Sequence, residues 1–306
     1  MPSVATQPQA DFSREALTFP PIAFEPGKYI VKCFPARESD GVIRDWSLSQ
    51  LEESDFQMRL QGVLPHERRR RRQFYAPTVK AMSGVYLQPE LFTALYPLNN
   101  WCTIRRPAFR SRSPEMVKCD ATSIPPHQGM IMSAGGCPLV VMNGKTPAGE
   151  EFCFAAHAGR ASLIDDRLFT EGLPSRAHFS VIDALVAQAE ALGVLPKDLI
   201  LRSFFSIPWF RLMHEFSDPK FGKLNLARYA YLKSMHALDG VFIAQEDRRL
   251  CLSLSGLIQR QAQRHGIVRI ESGLLELPED GDYAYTRHVD PELAGTTRNL
   301  VMVMRI

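Results

Sequence analysis

The stretch that decides the fold is residues 129–159, which have the sequence GMIMSAGGCPLVVMNGKTPAGEEFCFAAHAG. This stretch contains three short apolar runs, at 130–133, 138–142 and 151–156, and a turn sequence at 143–149 joins the last two. Apolar runs of this length, bounded by glycine, proline and asparagine, are typical of strands buried on both faces. We therefore predict three successive buried strands, with a hairpin between the second and the third.

Two reactive side chains lie at the ends of these predicted strands. Cys137 follows the small residues at 133–136, and His157 precedes Ala158 and Gly159. Small residues let the backbone approach a ligand closely. A cysteine nucleophile needs a neighbouring base or cation that favours its thiolate, and His157 can supply it. The same two side chains also suit two ligands of a zinc ion. The plainer alternative is that both are buried core residues.

Further elements are predicted on either side of this stretch. They are strands at 28–34, 198–205 and 299–304, and helices at 46–60, 180–192 and 252–265. Ser180 and Asp183 form a capping box, and Gly193 and Gly266 end their helices. Residues 1–26 contain five prolines and show no periodic pattern, so we expect a disordered leader there. Because helices and strands mix without regular alternation, the predicted class is α+β.

Composition limits the classes of protein to which this chain can belong. It has 306 residues, 45% hydrophobic and 23% charged, which is close to a soluble globular chain and excludes a fibrous or wholly disordered protein. The net charge is +3, so nucleic acid is not favoured as a partner. The five arginines at 68–72 are interpreted as a solvated surface, with an acidic partner or nucleic acid as the alternative.

Cysteine usage and hydropathy bear on location. The six cysteines form no CxxC pair, so we expect a reducing compartment. The N-terminal residues lack the pattern of a secretory signal, and no apolar run is long enough to span a bilayer. We expect a cytoplasmic protein without a membrane partner, and export without a signal peptide is the alternative. The sequence has no GxxxxGKS/T, GxGxxG, HExxH or GxSxG motif, so no nucleotide cofactor is expected.

The order of short motifs along the chain resembles that of the YfiH-like, laccase-domain family. The family pattern begins with an Ala-Asp-(Ala/Gly) element, which 119–121 resembles, and a strand, which 129–133 resembles. It continues with an Asp-Cys-x-Pro turn and its strand, similar to 136–141, and with a His-Ala-Gly element, similar to 155–159. Downstream, 179–192 resembles a family helix, and 285–288 and 296–301 resemble the closing Phe-Ser-x-Arg-Arg and Thr-Gly-Arg-Asn elements. The resemblance covers 116–306 best and 27–115 more weakly. It implies a single domain at 27–306, with a mixed sheet core and flanking helices.

The resemblance also implies an activity. The family was long described as copper polyphenol oxidases and is now associated with zinc-dependent phosphorolysis and deamination of purine nucleosides. By resemblance, this chain is an enzyme with a small-molecule substrate, a purine nucleoside or related heterocycle. Its implied metal is zinc, with copper less favoured. Cys137 and His157 occupy two of the three family ligand positions.

The third family ligand is a histidine in a Gln-Val-His-Gly segment that this sequence lacks. Cys102 stands where that histidine is expected, and a Cys/Cys/His set also suits zinc. His127 and Cys119 are fallback candidates for the same position.

Three arginines are candidates for binding the substrate. Phosphorolysis needs a clamp on phosphate, and the arginine fork can pair with two oxygens; we assign this role to Arg160, Arg287 and Arg298. Three departures from the family pattern lie beside the motifs. Gly136 replaces the aspartate before the cysteine, Arg160 replaces a tryptophan, and Thr297 replaces the glycine before Arg298.

Two alternative functions remain open. Cytotoxic necrotizing factor deamidases are similar in placing a Ser-Gly-Cys turn ahead of a strand that ends at a histidine. This likeness implies a metal-free Cys137/His157 hydrolase of amides or deamidase of glutamine, with Cys137 as nucleophile and His157 moving protons, in an effector protein. The third alternative is a non-catalytic binding protein on the same scaffold.

Overall fold

The structure is a computed structural model, and part of the chain is described in it. The described residues are 22–24, 29–37, 90–95, 104–105, 116–118, 121–124, 126, 128–166, 169, 180–236, 238–244, 250–277, 283–285, 293 and 298–305. Several predictions fall outside these ranges: the helix at 46–60, the arginines at 68–72, and the candidate residues Cys102, Cys119, His127 and Arg287. The division of the chain at residues 115 and 116 also stays a prediction.

The described residues form fourteen strands, most of them in two mixed sheets. In chain order the strands are β1 Ile22–Phe24, β2 Tyr29–Phe34, β3 Glu90–Leu95, β4 Ile104–Arg105, β5 Met116–Lys118, β6 Ala121–Ser123, β7 Gln128–Ala134, β8 Leu139–Lys145, β9 Glu151–His157, β10 Ile200–Phe204, β11 Phe242–Ala244, β12 Leu250–Leu252, β13 Arg269–Leu274 and β14 Asn299–Arg305. The first sheet has the order β1-β2-β14-β7-β3-β5, and the second has the order β13-β10-β8-β9-β6-β4. Strands β11 and β12 form a separate pair.

The apolar runs of the central stretch form the middle strands of these sheets. β8 pairs antiparallel with both β9 and β10, and its first five residues are buried. β7 belongs instead to the first sheet, between β14 and β3. The connection from β7 to β8 therefore carries the chain from one sheet to the other, and Cys137 lies in this connection.

Four α-helices flank the sheets in the described residues. They are α1 Arg160–Leu163, α2 Val181–Ala191, α3 Gly222–Ser234 and α4 Leu254–Arg264. At the start of α2 the Ser180 hydroxyl accepts a hydrogen bond from the Asp183 amide at 3.1 Å, so the predicted cap is confirmed. Ser253 caps α4 in the same way, through the Gly256 amide at 3.0 Å.

One hydrophobic core contains side chains from both sheets. Val31 and Val301 of the first sheet and Val140 and Phe154 of the second belong to a single cluster of buried residues. Each such side chain contributes about 1.5–3 kcal/mol when it is fully buried. With helices on a mixed sheet core, the α+β class is confirmed. No helix among the described residues is long and apolar enough to cross a bilayer.

Two local predictions are corrected by the structure. The turn predicted at 143–149 is shorter, because β8 continues to Lys145 and pairs there with Glu151. Asn143 stays in the strand because its Oδ1 accepts a hydrogen bond from the buried Arg202 at 3.2 Å. Ordered structure also begins earlier than expected, since Ile22–Phe24, within the predicted leader, pairs with β2.

Candidate functional site

Cys137 and His157 are brought together by the register of β8 and β9. Leu139, the first residue of β8, is the partner of His157, the last residue of β9. Just beyond this pair, the Ala158 amide donates a hydrogen bond to the Pro138 carbonyl at 2.9 Å. Cys137 is half-buried, whereas His157 is only 3% exposed. The sequence prediction that neighbouring strands place these two residues side by side is correct.

Gly159 makes room for this pair. A Cβ on Gly159 would lie 2.5 Å from His157 Cε1, 3.0 Å from His157 Nε2 and 3.1 Å from Cys137 Sγ. The Cε1–Nε2 edge of the imidazole and the thiol sulfur therefore face one common point. Any side chain at 159 would displace the ring.

The far side of the imidazole ring is held by helix α1. Ser162, which is buried in α1, places its Oγ 3.4 Å from His157 Nδ1. When His157 uses the Nε2 lone pair to take a proton or bind a cation, Nδ1 carries the ring proton and donates it to Ser162 Oγ. The Ser162 hydroxyl is thus a hydrogen-bond partner for the tautomer that such chemistry needs.

The turn before Cys137 is tightly enclosed. Gly136 has a φ of +86°, and its Cβ would lie 2.7 Å from Tyr285 Cβ and 2.9 Å from Ile207 Cβ. The Ile207 amide also donates to the Gly136 carbonyl at 2.8 Å. An aspartate at this position would have both a disfavoured backbone conformation and steric overlap. The conformation and packing of this turn therefore require glycine at position 136.

Asn299 holds the segment that covers this turn. Its side chain is buried and makes two hydrogen bonds with Ala284, accepting from the amide and donating to the carbonyl, each at 2.7 Å. These bonds fix the residue next to Tyr285, which packs on Gly136. The closing Arg298-Asn299 element therefore shapes the site from the end of the first sheet.

A cavity of about 330 Å³ opens beside Cys137. One part of its wall is apolar and contains Ile207, Leu212, Met213, Phe221 and Leu254. The other part is polar and contains Arg160, His214, Asp218, Asn225 and Arg228. A mixed lining with a few converging polar groups is typical of sites for small molecules.

Two arginines of the polar wall share one carboxylate partner, Asp166. Arg228 donates to both oxygens of this carboxylate, from Nε at 2.8 Å and from Nη2 at 2.5 Å. Arg160 donates to the same carboxylate from Nη1 at 3.2 Å. Burial raises the pKa of Asp166, the charge of Arg160 acts in the opposite direction, and Asp165 adds to the rise.

Comparison of structures found known proteins with a similar fold, whereas comparison of sequences found no related protein. No family model and no curated protein matches this sequence. The YfiH protein of Bacillus licheniformis has a TM-score of 0.57 at 12% identity, covering 92% of this chain and 94% of that one. YlmD of Geobacillus stearothermophilus has a TM-score of 0.55 at 11% identity, covering 91% of this chain and 92% of that one. A DUF152 protein of Neisseria meningitidis has a TM-score of 0.53 at 14% identity, covering 92% of this chain and 95% of that one.

The chain has the YfiH-like fold. The resemblance inferred from the order of the motifs is thus confirmed at the level of the fold, and the low identities make this chain a divergent example. The zinc site and the nucleoside substrate that the resemblance implied stay predictions.

The arginines predicted to bind substrate have different positions around this YfiH-like site. Arg160 lies in the cavity wall, next to Gly159. Arg298 lies on the turn instead, where its Nη1 is 2.9 Å from the place of a Cβ on Gly135. It is absent from the described lining of the cavity. Arg287 belongs to the part of the chain that is not described.

Four polar residues of the wall were not singled out from the sequence: His214, Asp218, Asn225 and Arg228. One signal was present. Asn225 and Arg228 are three residues apart on α3 and share a face with Leu232, and all three are buried. Polar residues on the apolar face of a helix indicate buried hydrogen bonds, which here run to Asp166 and between the two side chains.

The donors at the site suit zinc in type. A thiolate and an imidazole are the ligands that zinc favours, and both face the point beside Gly159. Among the described residues, however, no group of three His, Cys, Asp or Glu side chains is arranged to hold a metal. Since a catalytic zinc takes three protein ligands, the described residues supply two of them. The candidate third ligand, Cys102, lies outside the described ranges.

Proposed function

We propose that this protein is an enzyme that acts on a purine nucleoside or related heterocycle, by phosphorolysis or deamination. The single observation that carries the proposal is the meeting of Cys137 Sγ and the His157 Nε2 edge beside Gly159, at a cavity with a mixed lining. In this proposal Cys137, His157 and a third ligand, for which Cys102 is the candidate, hold zinc.

In this proposal, different residues of the chain bind the metal, the heterocycle and the phosphate. Zinc, when bound, would supply an activated water or polarise the substrate. When Nε2 of His157 is the ligand, the ring proton lies on Nδ1 and Ser162 Oγ accepts a hydrogen bond from it. The apolar wall around Phe221 takes the heterocycle, and Arg160 pairs with oxygens of phosphate.

Metal content tests this proposal first. Wild type and Cys137→Ala are purified without added metal or chelator and analysed by elemental mass spectrometry. We expect about one zinc per chain in wild type, its loss in the variant, and phosphorolysis or deamination by the wild type alone. Cys102→Ala tests the third ligand separately, and unchanged zinc content in that variant would remove Cys102 from the set. Wild type without zinc would refute the metal proposal.

A metal-free cysteine hydrolase is the second candidate. The observation that favours it is the order of groups, with Cys137 beside the Nε2 edge of His157 and Ser162 at Nδ1, as in a nucleophile, a base and an orienting group. In a zinc-free preparation, this candidate predicts hydrolysis of glutamine amides that iodoacetamide abolishes. Protein that lacks zinc and does not hydrolyse amides would point to a binding protein.

A further inference from the structure

Arg160 lies in the cavity wall and uses few of its N–H donors in hydrogen bonds within the described part of the protein. A guanidinium group has five N–H donors. Among the described residues Arg160 uses one of them, from Nη1 to Asp166, and its side chain is 30% exposed in the cavity wall. The remaining donors suit an oxyanion, because the arginine fork matches two oxygens of phosphate.

Arg228 differs from Arg160 in both burial and bonding. It is only 2% exposed, and it donates to both Asp166 oxygens and to Asn225 Oδ1 at 2.7 Å. Asn225 is fixed in turn, since its Nδ2 donates to the Glu215 carbonyl at 2.9 Å. A guanidinium held by three such bonds is rigid, and it aligns the carboxylate that it shares with Arg160.

We propose that Arg160 binds a phosphate-like oxyanion in the cavity and that Asp166 and Arg228 are positioning residues that hold Arg160 in place. This inference rests on the proposed function, which it deepens by naming the residues that position the phosphate-binding guanidinium. The carboxylate that lies in the cavity wall itself is Asp218, just before α3, and its Oδ1 accepts hydrogen bonds from the Lys220 and Phe221 amides, both at 2.8 Å.

Asp166→Asn separates positioning from simple charge attraction. If net charge alone drew the anion, removal of the carboxylate would tighten phosphate binding. If Asp166 positions Arg160, the variant binds phosphate more weakly, because an amide offers one acceptor oxygen where two guanidinium groups need two. We expect a loss of at least about tenfold in affinity, the loss that follows from one charge-assisted hydrogen bond.

The probe is inorganic phosphate, titrated into the full chain by calorimetry without a nucleoside. Arg160→Gln is expected to abolish binding. Arg228→Lys keeps the charge but removes the fork, and it is expected to weaken phosphate binding while Arg160 remains. If Asp166→Asn does not fold, Arg228→Lys decides the question. A parallel titration with ribose 1-phosphate shows whether the site takes free phosphate or a phosphate ester, and binding of either supports the proposal.

The chain offers a matched control in Arg202. This buried arginine has the same bonding pattern, with Nε and Nη2 donating to Glu271 at 2.9 and 3.3 Å and Nη1 donating to Asn143 Oδ1 at 3.2 Å. It lies on β10 and is not part of the described cavity lining. Glu271→Gln therefore disturbs an equivalent arginine and should leave phosphate affinity unchanged.

The outcomes distinguish this inference from the proposed function. Absence of binding of both phosphate and ribose 1-phosphate to wild type overturns the inference. Equal or tighter binding of the bound species in Asp166→Asn or Arg228→Lys overturns it as well. Where phosphorolysis is measurable, Asp166→Asn should raise KM for phosphate more than it lowers kcat, which a purely structural role would not produce. Phosphate binding as expected without any nucleoside turnover would leave the inference intact and refute the proposed function alone.

Discussion

Gly149 and Gly159 lie near opposite ends of the β8–β9 hairpin, and each is glycine for a different reason. Gly149, in the turn, has a φ of +83°, and nothing lies within 4 Å of the place of its Cβ. Gly159 has an ordinary φ of −67°, but its Cβ would contact His157 and Cys137. Backbone conformation requires glycine at the turn, whereas close packing of reactive side chains requires it at the site. Gly136, beside Cys137, combines both requirements.

The largest expected effect contrasts the two cysteines of this region. Burial raises the pKa of Cys153 in β9 to about 12, although Arg305 acts in the opposite direction. At pH 8 an ordinary cysteine, with a pKa of about 8.5, has about a thousandfold more thiolate than such a group. We expect iodoacetamide to modify the half-buried Cys137 in the native protein and to leave Cys153 unmodified.

Peptide mapping by mass spectrometry measures this difference. Unfolding in urea is the control, because Cys153 should then react at an ordinary rate. Modification of Cys153 before Cys137 in the native state would contradict the contrast between the strand interior and the site.

Gly136→Asp, which introduces the family residue, should cause the largest loss of stability. A left-handed backbone costs about 1–2 kcal/mol for most residues with a side chain, and aspartate, like asparagine, lies at the lower end of that range. Overlap in a packed region adds about 1–3 kcal/mol. We therefore expect the free energy of unfolding, measured with urea, to fall by the combined amount. A variant as stable as wild type would mean that the turn can adopt another conformation.

Gly159→Ala should cost less stability but should damage the site. Its backbone conformation is open to alanine, so only the overlap with His157 and Cys137 contributes, about 1–3 kcal/mol. The methyl group occupies the point that the thiol and the imidazole share. We expect a changed rate of Cys137 alkylation and loss of any bound zinc, measured beside the urea curve. Wild-type behaviour in both would show that the ring moves without consequence.

Gly149→Ala should have the smallest effect, about 1 kcal/mol from the left-handed backbone alone. Gly149→Asn should be milder still, because asparagine tolerates this conformation better than other residues. Neither substitution should alter Cys137 reactivity, since the turn is at the far end of the hairpin. A change in that reactivity would show that the two ends of the hairpin are coupled.

The sequence was most informative where one physical pattern dominated. The apolar runs predicted β7, β8 and β9, and the pairing of β8 with β9 placed Cys137 beside His157 as expected. Ser180 predicted the start of α2 in the same way, since a cap is a local interaction. These features depend on neighbours in the chain or on adjacent strands.

The sequence was less informative where the conformation or burial of a residue depends on a partner that is distant in the sequence. Asn143 resembles a turn residue, yet it stays in β8 because Arg202 on β10 bonds to it. Asn225 and Arg228 were not singled out, because the partner that makes their burial favourable, Asp166, lies far away in the sequence. The two members of each pair are many residues apart, and no periodic pattern in the sequence links them, so the sequence alone does not predict the contact.

The position of β14 has a consequence for how the protein is made. This strand, Asn299–Arg305, pairs with β2 on one side and β7 on the other, and β2 and β14 lie near opposite ends of the described chain. During synthesis, β2 leaves the ribosome long before its partner exists. The first sheet therefore cannot close until translation reaches residue 305, whereas β8 and β9 can pair much earlier. Slow closure is expected for so distant a contact, and until then β2 and β7 each present an open edge on which chaperones or other nascent chains can act.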